Sequence, residues 1–399
     1  MNKTLKDHRE IGRELDLFMM HEYAPGAAFW LPKGWTLYKT LIEFIRSKIE
    51  PYGYQEISTP VMIKSKLYQE SGHWQHFREN IFNLKIENED YSLKPMNCPE
   101  AALIFRSKTR SYNDLPLRLS EFGILHRNEL SGVLGGLLRV RQFVIDDAHL
   151  FVRPDQIQEE INKLLKLVTG VYQSLGFAPR FYLATKPDKA MGDTKTWKEA
   201  ESDLEKALKD AKVDFEIKPK DGTFYGPKID IHIYDSQDRD WQLATIQLDF
   251  QIPEKMRLGY VDRDGSKKQP VMIHRAITGS LERFIGILIE HFQGAFPVWL
   301  SPVQAIVLPL SDKFHVYARG IATDLKSVGI RVEVNARNET LQAKIRDATL
   351  QKIPYLLVVG EKEEKAQTVA LRTRDGRDHR QMKIDQFKQK ILAEIENKS

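Results

Sequence analysis

Residues 139–152 read RVRQFVIDDAHLFV and alternate in character with a period of two. Successive side chains of a β-strand point to opposite faces of the sheet, so this pattern predicts a strand with one mainly aliphatic face. The other face carries Arg139, Arg141, Phe143, Ile145, Asp147, His149 and Phe151. Charged groups in a row do not serve packing. This face therefore indicates a functional cleft, with cations for phosphate, a ring for base stacking and a metal ligand beside an acid.

The sequence around this strand predicts two different kinds of sheet. Residues 117–129 (LRLSEFGILHRNE) form a second predicted strand, and the turn-rich segment 131–136 joins the two into an antiparallel hairpin with a long loop. After residues 296–302 the pattern changes. We then predict strands at 303–310, 331–336, 354–360 and 368–374, and helices at 312–328, 340–352 and 384–396. Strands separated by crossover helices indicate a smaller, mainly parallel sheet with helices on its faces.

Composition describes an ordinary globular protein of one or two domains. The 399 residues are 42% hydrophobic and 29% charged. The net charge of +5 is only a weak indication of a polyanionic partner. Cys98 is the only cysteine, so no internal disulfide forms and nothing suggests secretion. The charged start does not resemble a signal peptide, and no apolar run approaches the ~18–20 residues of a membrane span. We therefore expect a cytoplasmic location.

Cys98, His149 and His274 are the one set of residues that we propose as metal ligands. A thiolate with two imidazoles is a combination typical of zinc, and three protein ligands leave a fourth position open for chemistry. Pro99 places Cys98 near a helix N-terminus, which favours the thiolate. The spacings are too wide for a zinc finger, so unrelated core residues, including a small buried cysteine, remain the alternative. No HExxH motif is present, which disfavours a zinc peptidase.

Arginines in the predicted strands indicate a phosphate site. Arg127, Arg139 and Arg141 lie in apolar strands, and Arg283 lies near the start of a helix. Guanidinium groups match phosphate oxygens, although solvated surface arginines remain the alternative, above all for Arg283. The sequence lacks a GxxxxGK[ST] loop and a strand-borne GxGxxG, so a nucleotide would bind on an antiparallel sheet.

Gln242 and Gln247 have opposite parity in the strand predicted at 241–252. If both serve one site, a β-bulge must lie between them.

The motifs together resemble threonyl-tRNA synthetases, a family of class II aminoacyl-tRNA synthetases. Three segments resemble the class II signatures: GYQEISTP at 53–60, FGILHRNE at 122–129 running to Phe143, and GSLERFIG at 279–286. KPMNCP, DDAHLF, FYGPKI and PVMIHRA add a Cys/His/His arrangement that prolyl, histidyl and seryl relatives lack. The resemblance runs from about Asp7 to the C-terminus. It implies an α+β catalytic domain at 1–298, with an antiparallel class II sheet flanked by helices, and an α/β anticodon-binding domain at 299–399.

The resemblance also implies a function and the residues that carry it. Threonine would be activated with ATP to threonyl-adenylate and transferred to the 3′ end of tRNA(Thr). One Zn²⁺ per subunit, held by Cys98, His149 and His274, would select threonine by its amino and hydroxyl groups, and Mg²⁺ would accompany ATP. The implied ATP residues are Arg127, Glu129, Arg139, Phe143, Gln242 and Arg283. The implied threonine residues are Met96, Asp147, Tyr225, Lys228, Gln247 and Ser280. Arg127, Arg283 and His73 would be catalytic, with His73 implicated in the transfer to tRNA.

The resemblance has further implications for binding partners and for domain content. Asn338, Arg346, Glu363 and Arg372 match anticodon-reading positions, with solvated surface as the alternative. A homodimer would form through the first signature around Pro60. The resemblance also implies that the family's N-terminal and editing domains are lacking. Two rival functions stay open: a non-catalytic paralogue that binds RNA or a partner, and an enzyme that activates an amino acid without tRNA. Retained arginines and ligands argue against the first, and the C-terminal domain argues against the second.

Overall fold

The computed structural model describes residues 5–398, apart from the side chains of His76, His379 and Arg380. The chain divides into two compact units. Of the described residues, one unit contains 5–19, 29–43 and 288–398, and the other contains 20–28 and 44–287. Among the described residues, no helix is both long enough and apolar enough to cross a membrane.

The described helices, in chain order, are α1 His8–Glu14, α2 Pro32–Ile49, α3 Lys66–Glu70, α4 His73–Phe77, α5 Cys98–Arg106, α6 Ile157–Ser174, α7 Thr194–Asp210, α8 Gln251–Lys255, α9 Leu281–His291, α10 His315–Ser327, α11 Leu341–Leu350, α12 Glu361–Ala366 and α13 Ile384–Asn397.

The described strands are β1 Phe18–Met20, β2 Ala28–Trp30, β3 Gln55–Glu56, β4 Met62–Lys64, β5 Asn83–Ile86, β6 Glu89–Leu93, β7 Arg110–Ser111, β8 Leu117–His126, β9 Gln142–Val152, β10 Arg180–Ala184, β11 Phe215–Lys218, β12 Lys228–Tyr234, β13 Asp240–Asp249, β14 Tyr260–Val261, β15 Lys267–Lys268, β16 Val271–Ser280, β17 Ala305–Pro309, β18 Val332–Val334, β19 Tyr355–Val359, β20 Thr368–Thr373 and β21 Asp378–Lys383.

An eight-stranded sheet organises the larger unit, in the order β11-β10-β12-β13-β16-β9-β8-β3. The six inner strands of this sheet, from β10 to β8, pair antiparallel with one another. The two outermost pairs, β10–β11 and β3–β8, are parallel. The predicted hairpin is confirmed, because β8 and β9 pair antiparallel from Leu117 opposite Phe151 to His126 opposite Gln142. This sheet confirms the predicted fold class of the first domain.

The start of the organising strand differs from the prediction. Arg139 and Arg141 do not lie in β9, which begins at Gln142. The backbone N–H groups of Arg141 and Gln142 both donate to the carbonyl of Gly26, at 2.6 and 3.2 Å. Backbone pairing with the β8 side continues for one more pair, because the N–H of Arg127 donates to the carbonyl of Arg141 at 2.8 Å, whereas the N–H of Arg141 is bonded to a loop. Arg127 also lies just beyond the end of β8. The prediction that these arginines lie within strands is wrong, although they still lie at the strand ends.

The two faces of β9 perform different tasks. On one face, the fully buried carboxylate of Asp146 accepts hydrogen bonds from the backbone N–H groups of Ile277 (2.9 Å) and Thr278 (2.8 Å) and from Arg275 Nη1 (3.2 Å). These bonds hold the irregular end of β16, where the register shifts between Ala276 and Ser280. Asp147 and His149 lie on the opposite face, because strand neighbours alternate. Asp146 thus fixes the segment that leads into α9.

The bulge required by the two glutamines is confirmed. Ile231 of β12 pairs with Ala244 of β13, and the next residue, His232, pairs with Gln242. Leu243 is therefore the extra residue on β13. Because a bulge shifts the alternation by one position, Gln242 can face the same cleft as Gln247.

A five-stranded sheet forms the C-terminal part of the other unit, in the order β18-β17-β19-β20-β21. β17 pairs parallel with β18 and β19, as predicted, and β20 and β21 add an antiparallel extension, so the sheet is mixed. Separate apolar clusters cover its two faces: α10 and α13 contribute Leu325 and Phe387 to one, and α11 contributes Ala348 to the other. Helices on both faces match the predicted architecture.

Candidate active site

The three proposed metal ligands converge from distant parts of the chain. Cys98 is the first residue of α5, His149 lies on β9 and His274 lies on β16. His149 and His274 are directly opposite each other in the register of the two strands. One potential ligand atom from each of the three residues lies within 4.8 Å of the others. The side chains are only 4%, 3% and 7% exposed, so the cluster is buried.

Burial sets the charge state of this cluster. It raises the pKa of the Cys98 thiol well above its ordinary value, and the carboxylates of Asp147, Glu100 and Asp249 raise it further. Burial also lowers the pKa of His149 well below its ordinary range and raises that of Asp147 to about 6. The expected effect of the helix N-terminus on Cys98 is therefore outweighed by burial. A neutral imidazole is ready to bind a metal, and a cation would stabilise the thiolate.

The donor set fits zinc. One sulfur and two imidazole nitrogens, close together and buried, are ligands typical of a zinc site that leaves coordination open for a substrate. Oxygen-preferring cations such as Mg²⁺ or Ca²⁺ would find no carboxylate in this trio.

A cavity of about 400 Å³ opens above the trio. Met96, Asp147, Tyr225 and Gln247 line it, together with His73. The Tyr225 hydroxyl donates to Gln247 Oε1 at 2.5 Å. Four of the six predicted threonine residues are therefore brought together around the cluster.

An amide that the sequence analysis did not assign orients the carboxylate in this cavity. Asn97 Nδ2 donates to Asp147 Oδ2 at 3.2 Å. The Asn97 side chain occupies the space where a Cβ on Gly123 would lie, with Oδ1 only 2.2 Å from that position. A side chain at position 123 would therefore displace Asn97. Asn97 lies beside Cys98 in the KPMNCP motif, so its position in the sequence could have indicated this role.

A second cavity, of about 500 Å³, adjoins the first. It shares Arg127, Ile145 and Thr245 with the first cavity, so the two form one continuous cleft. All six predicted ATP residues line it, and so does Ser280. The cleft therefore has one end that carries the metal trio and another that is rich in arginine.

Two arginines of this second cavity, Arg127 and Arg283, donate to backbone carbonyls. Arg283 Nε donates to the carbonyl of Leu138 at 3.0 Å, and Arg127 Nε donates to the carbonyl of Pro95 at 3.2 Å. Burial lowers the pKa of both guanidinium groups. The guanidinium carbon of Arg127 lies 5.1 Å from the centre of the Phe143 ring. An anion placed here would gain charge-assisted hydrogen bonds and offset the burial of positive charge.

Glu129 and Arg139 form the outer wall of the arginine-rich end. Arg139 Nε and Nη2 donate to Glu129 Oε2 at 3.0 and 2.8 Å. The Arg139 side chain is 52% exposed, so solvent screens this pair.

Lys228, one of the predicted threonine-binding residues, does not line the cavity above the metal trio. Its ammonium group bonds to the buried carboxylate of Asp230, which also accepts from Gln242 Nε2 at 2.7 Å. Asp230 was not predicted. It lies two residues after Lys228 on β12, and that same-face spacing is a signal that could have found it.

The four predicted anticodon residues lie in the C-terminal part of the chain. Asn338 precedes α11 and Arg346 lies on it, and both are exposed. Glu363, on α12, accepts the backbone N–H of Gly360 at 2.9 Å and so caps its own helix. Arg372, on β20, lies 3.8 Å from Asp378. Nothing in their mutual contacts marks them as one site.

Two protein families match this chain. The tRNA synthetase class II core domain (G, H, P, S and T) matches residues 82–292, and the anticodon binding domain matches residues 304–394. The first match covers more than half of the chain and includes every strand of the eight-stranded sheet except β3. Fold and sequence together thus define a class II tRNA synthetase core followed by an anticodon-binding domain.

Similarity to individual relatives identifies the family within the class II tRNA synthetases. The threonine–tRNA ligase of Acetivibrio thermocellus is 49% identical over 98% of this chain, and that of Symbiobacterium thermophilum is 50% identical over 99%. The solved RNA binding domain of threonyl-tRNA synthetase from Cryptosporidium parvum Iowa II is 42% identical, with a TM-score of 0.95, over 97% of this chain and 98% of that chain. The chain belongs to the threonyl-tRNA synthetase family. It spans 62% and 60% of the length of the two curated relatives.

Proposed function

We propose that this chain carries out threonine–tRNA ligation, with a zinc ion that selects threonine. The observation that carries the proposal is the continuous cleft: a buried Cys/His/His trio at one end and three arginines with an aromatic ring at the other. A cleft of this kind can hold a small amino acid and a nucleoside triphosphate side by side.

At the metal end, Cys98, His149 and His274 would hold Zn²⁺. Bound there, zinc would supply coordination positions for the amino and hydroxyl groups of threonine. Asp147 would accept a hydrogen bond from the same hydroxyl, and Asn97 would hold that carboxylate in place. Met96, Tyr225 and Gln247 would close the pocket, with Ser280 at its junction with the second cavity and Lys228 acting through Asp230.

At the arginine end, the residues would bind ATP with its accompanying Mg²⁺. Phe143 would stack on adenine, Glu129 would accept from its amino group, and Gln242 would complete the nucleotide pocket. Arg127 would bind the α-phosphate, with Arg283 and Arg139 near the outer phosphates. An oxygen of the threonine carboxylate would attack the α-phosphorus, forming a mixed anhydride while the bond to the leaving pyrophosphate breaks. Arg127 and Arg283 would act by positioning and by stabilising the developing charge.

The second step would transfer threonine to the terminal ribose of tRNA(Thr). His73 lines the metal-end cavity, and its Nδ1 lies 2.8 Å from Ser71 Oγ. This position beside the amino-acid pocket supports its proposed part in the transfer. His73 is only 1% exposed, so the tRNA end would have to enter the cavity to meet it.

The remaining assignments follow from family membership. We propose a catalytic domain at 1–298 and an anticodon-binding domain at 299–399, with Asn338, Arg346, Glu363 and Arg372 contacting anticodon bases. We also propose a homodimer formed around Pro60 and a cytoplasmic location. Pro60 follows β3, which among the described residues is the terminal strand of the large sheet.

A zinc ion bound by the trio would account for selectivity in physical terms. Valine is nearly isosteric with threonine, and an apolar pocket could separate the two by only ~1–3 kcal/mol. A metal that takes a hydroxyl ligand would reject valine far more strongly, because valine would leave that position unfilled. Serine keeps the hydroxyl and would still enter the pocket.

The test is amino-acid-dependent ATP–pyrophosphate exchange with threonine, serine and valine in parallel. We expect strong exchange with threonine, weaker exchange with serine and none with valine. Valine exchange equal to that of threonine would refute selection by the metal. No exchange with any of the three would instead favour a paralogue that only binds RNA.

A further inference from the structure

Asp249 is a fully buried carboxylate that touches one of the proposed ligands. It is the last residue of β13, and its side chain is 0% exposed. Its Oδ2 lies 2.8 Å from Nε2 of His274. Its Oδ1 accepts the backbone N–H groups of Gln251 at 2.7 Å and Ile252 at 2.9 Å, at the start of α8. Both oxygens are therefore held, and the carboxylate cannot turn without losing hydrogen bonds to the backbone.

This contact determines which nitrogen of His274 carries the proton. A carboxylate can only accept hydrogen bonds, so Nε2 of His274 must be the protonated nitrogen in the neutral ring. Nδ1 is then left with a free lone pair. A metal ion binds an imidazole nitrogen that carries no proton. The lone pair thus belongs to the nitrogen that is not occupied by Asp249.

We infer that Asp249 is a positioning residue that fixes the tautomer and ring orientation of His274 for zinc. The inference rests on the zinc site of the proposed function and adds a residue outside the ligand trio. The β13–β16 register supports it, because Gln247 lies opposite His274 and Asp249 is two residues further along the same face of β13. Strand β13 would thus supply both Gln247, which lines the amino-acid pocket, and Asp249, which orients the metal ligand His274.

The variant Asp249→Asn separates this role from simple packing. The amide oxygen can keep the two backbone N–H groups of α8, and the amide NH₂ then faces Nε2 of His274. Because an NH₂ group donates, the ring would have to accept at Nε2 and carry its proton on Nδ1. The shape is preserved while the tautomer is reversed, so the proton moves to the nitrogen needed by the metal.

The first measurement uses metal-stripped protein labelled with ¹⁵N-histidine. Two-bond ¹H–¹⁵N spectra distinguish the two tautomers, and the His274 signals are assigned by their loss in His274→Asn. We expect the Nε2–H form in the wild type and the Nδ1–H form in Asp249→Asn. An Nδ1–H ring in the wild type would overturn the inference, and this result does not depend on the folding of Asp249→Asn.

The second measurement is zinc affinity by competition with a chromophoric chelator. Loss of an outer partner of a ligating histidine typically weakens metal binding by about 10–100-fold, and we expect a loss in that range for Asp249→Asn. The matched control is Asp235→Asn. Asp235 is 5% exposed and accepts the backbone N–H groups of Gln237 (2.8 Å) and Arg239 (3.1 Å), but no proposed ligand. The control should bind zinc as the wild type does.

The outcomes separate this inference from the proposed function. If the wild type binds zinc and folded Asp249→Asn binds it equally well, the role of Asp249 is wrong and the zinc site stands. If the wild-type protein binds no zinc, the zinc site itself is wrong and the inference falls with it.

Discussion

The two ends of the cleft differ in how they are built. At the metal end, Cys98, His149 and His274 are at most 7% exposed and come from a helix and two paired strands. At the other end, the predicted phosphate ligands include Arg139, which lies outside the strands and has a side chain 52% exposed. The cleft thus combines a buried, fixed end with an open end.

This difference matches the two tasks proposed for the cleft. Discrimination between threonine and valine depends on one hydroxyl group, and it requires ligands whose geometry is set before the substrate arrives. A triphosphate offers many oxygens and considerable charge. Arg127 and Arg283 now bond to backbone carbonyls, and phosphate oxygens could replace these neutral acceptors with charged ones. We therefore expect substitutions at the fixed end to have the larger effects.

The largest effect is expected for Cys98→Ser. A serine hydroxyl is a far weaker zinc ligand than a thiolate, so bound zinc should be lost. A metal contributes several kcal/mol to binding and charge stabilisation, so threonine-dependent exchange should fall by roughly 10³-fold or more. Zinc content and ATP–pyrophosphate exchange are the measurements. Full activity in a zinc-free Cys98→Ser protein would contradict the proposed site, and a thermal melt identifies a loss that is due only to unfolding.

The next largest effect is expected for Arg283→Ala. Removal of one charged donor from a transition state typically costs about 10²–10³-fold in rate, and we expect a loss in this range. Zinc affinity should stay at the wild-type value, because Arg283 lines the second cavity and not the first. Exchange rate and chelator competition are measured on the same preparation. If zinc affinity fell with the exchange rate, the two ends would not be separable as described.

The smallest effect is expected for Arg139→Ala. An exposed ion pair contributes only about 0.2–1 kcal/mol, so loss of the Glu129 partner should leave the melting temperature nearly unchanged. We expect the KM for ATP to rise by up to about 5-fold, with little change in the KM for threonine. Steady-state exchange at varied ATP and varied threonine measures both. An Arg139→Ala defect as large as that of Arg283→Ala would show that the outer arginine is as important as the inner one.

The sequence predicted the face of β9 well from Phe143 to His149, because strand alternation is a local property. It placed the start of the strand too early, because the N–H of Arg141 donates to the distant loop carbonyl of Gly26 and the carbonyl of Arg139 accepts from the N–H of Gly135 in the connecting loop. A bulge between Gln242 and Gln247 was predicted on the condition that both serve one site, and the structure has it at Leu243. The period-two alternation of side chains predicted which residues share a face of a strand. It could not predict hydrogen bonds between segments that are far apart in the sequence.

The metal trio marks another limit of sequence reasoning. Its members are separated along the chain, and only the order β16-β9 within the sheet brings the two histidines together. Their residue types suggested zinc, but their wide spacing left unrelated core residues as the alternative. Strand β21 was missed because its sequence, DHRQMK, is polar and lies at the sheet edge, where it lacks the alternation of a buried strand.

The unpaired Leu243 has a consequence for how the cleft can vary. On one side of it Gln242 lines the cleft, and on the other side Thr245 and Gln247 do, so the parity of the inward positions changes at the bulge. The strand therefore has two separate patterns of inward and outward side chains, one at the nucleotide end and one at the amino-acid end. Substitutions can change the side chains of either segment alone. Deletion of a single residue between them would exchange inward and outward side chains in one of the two segments.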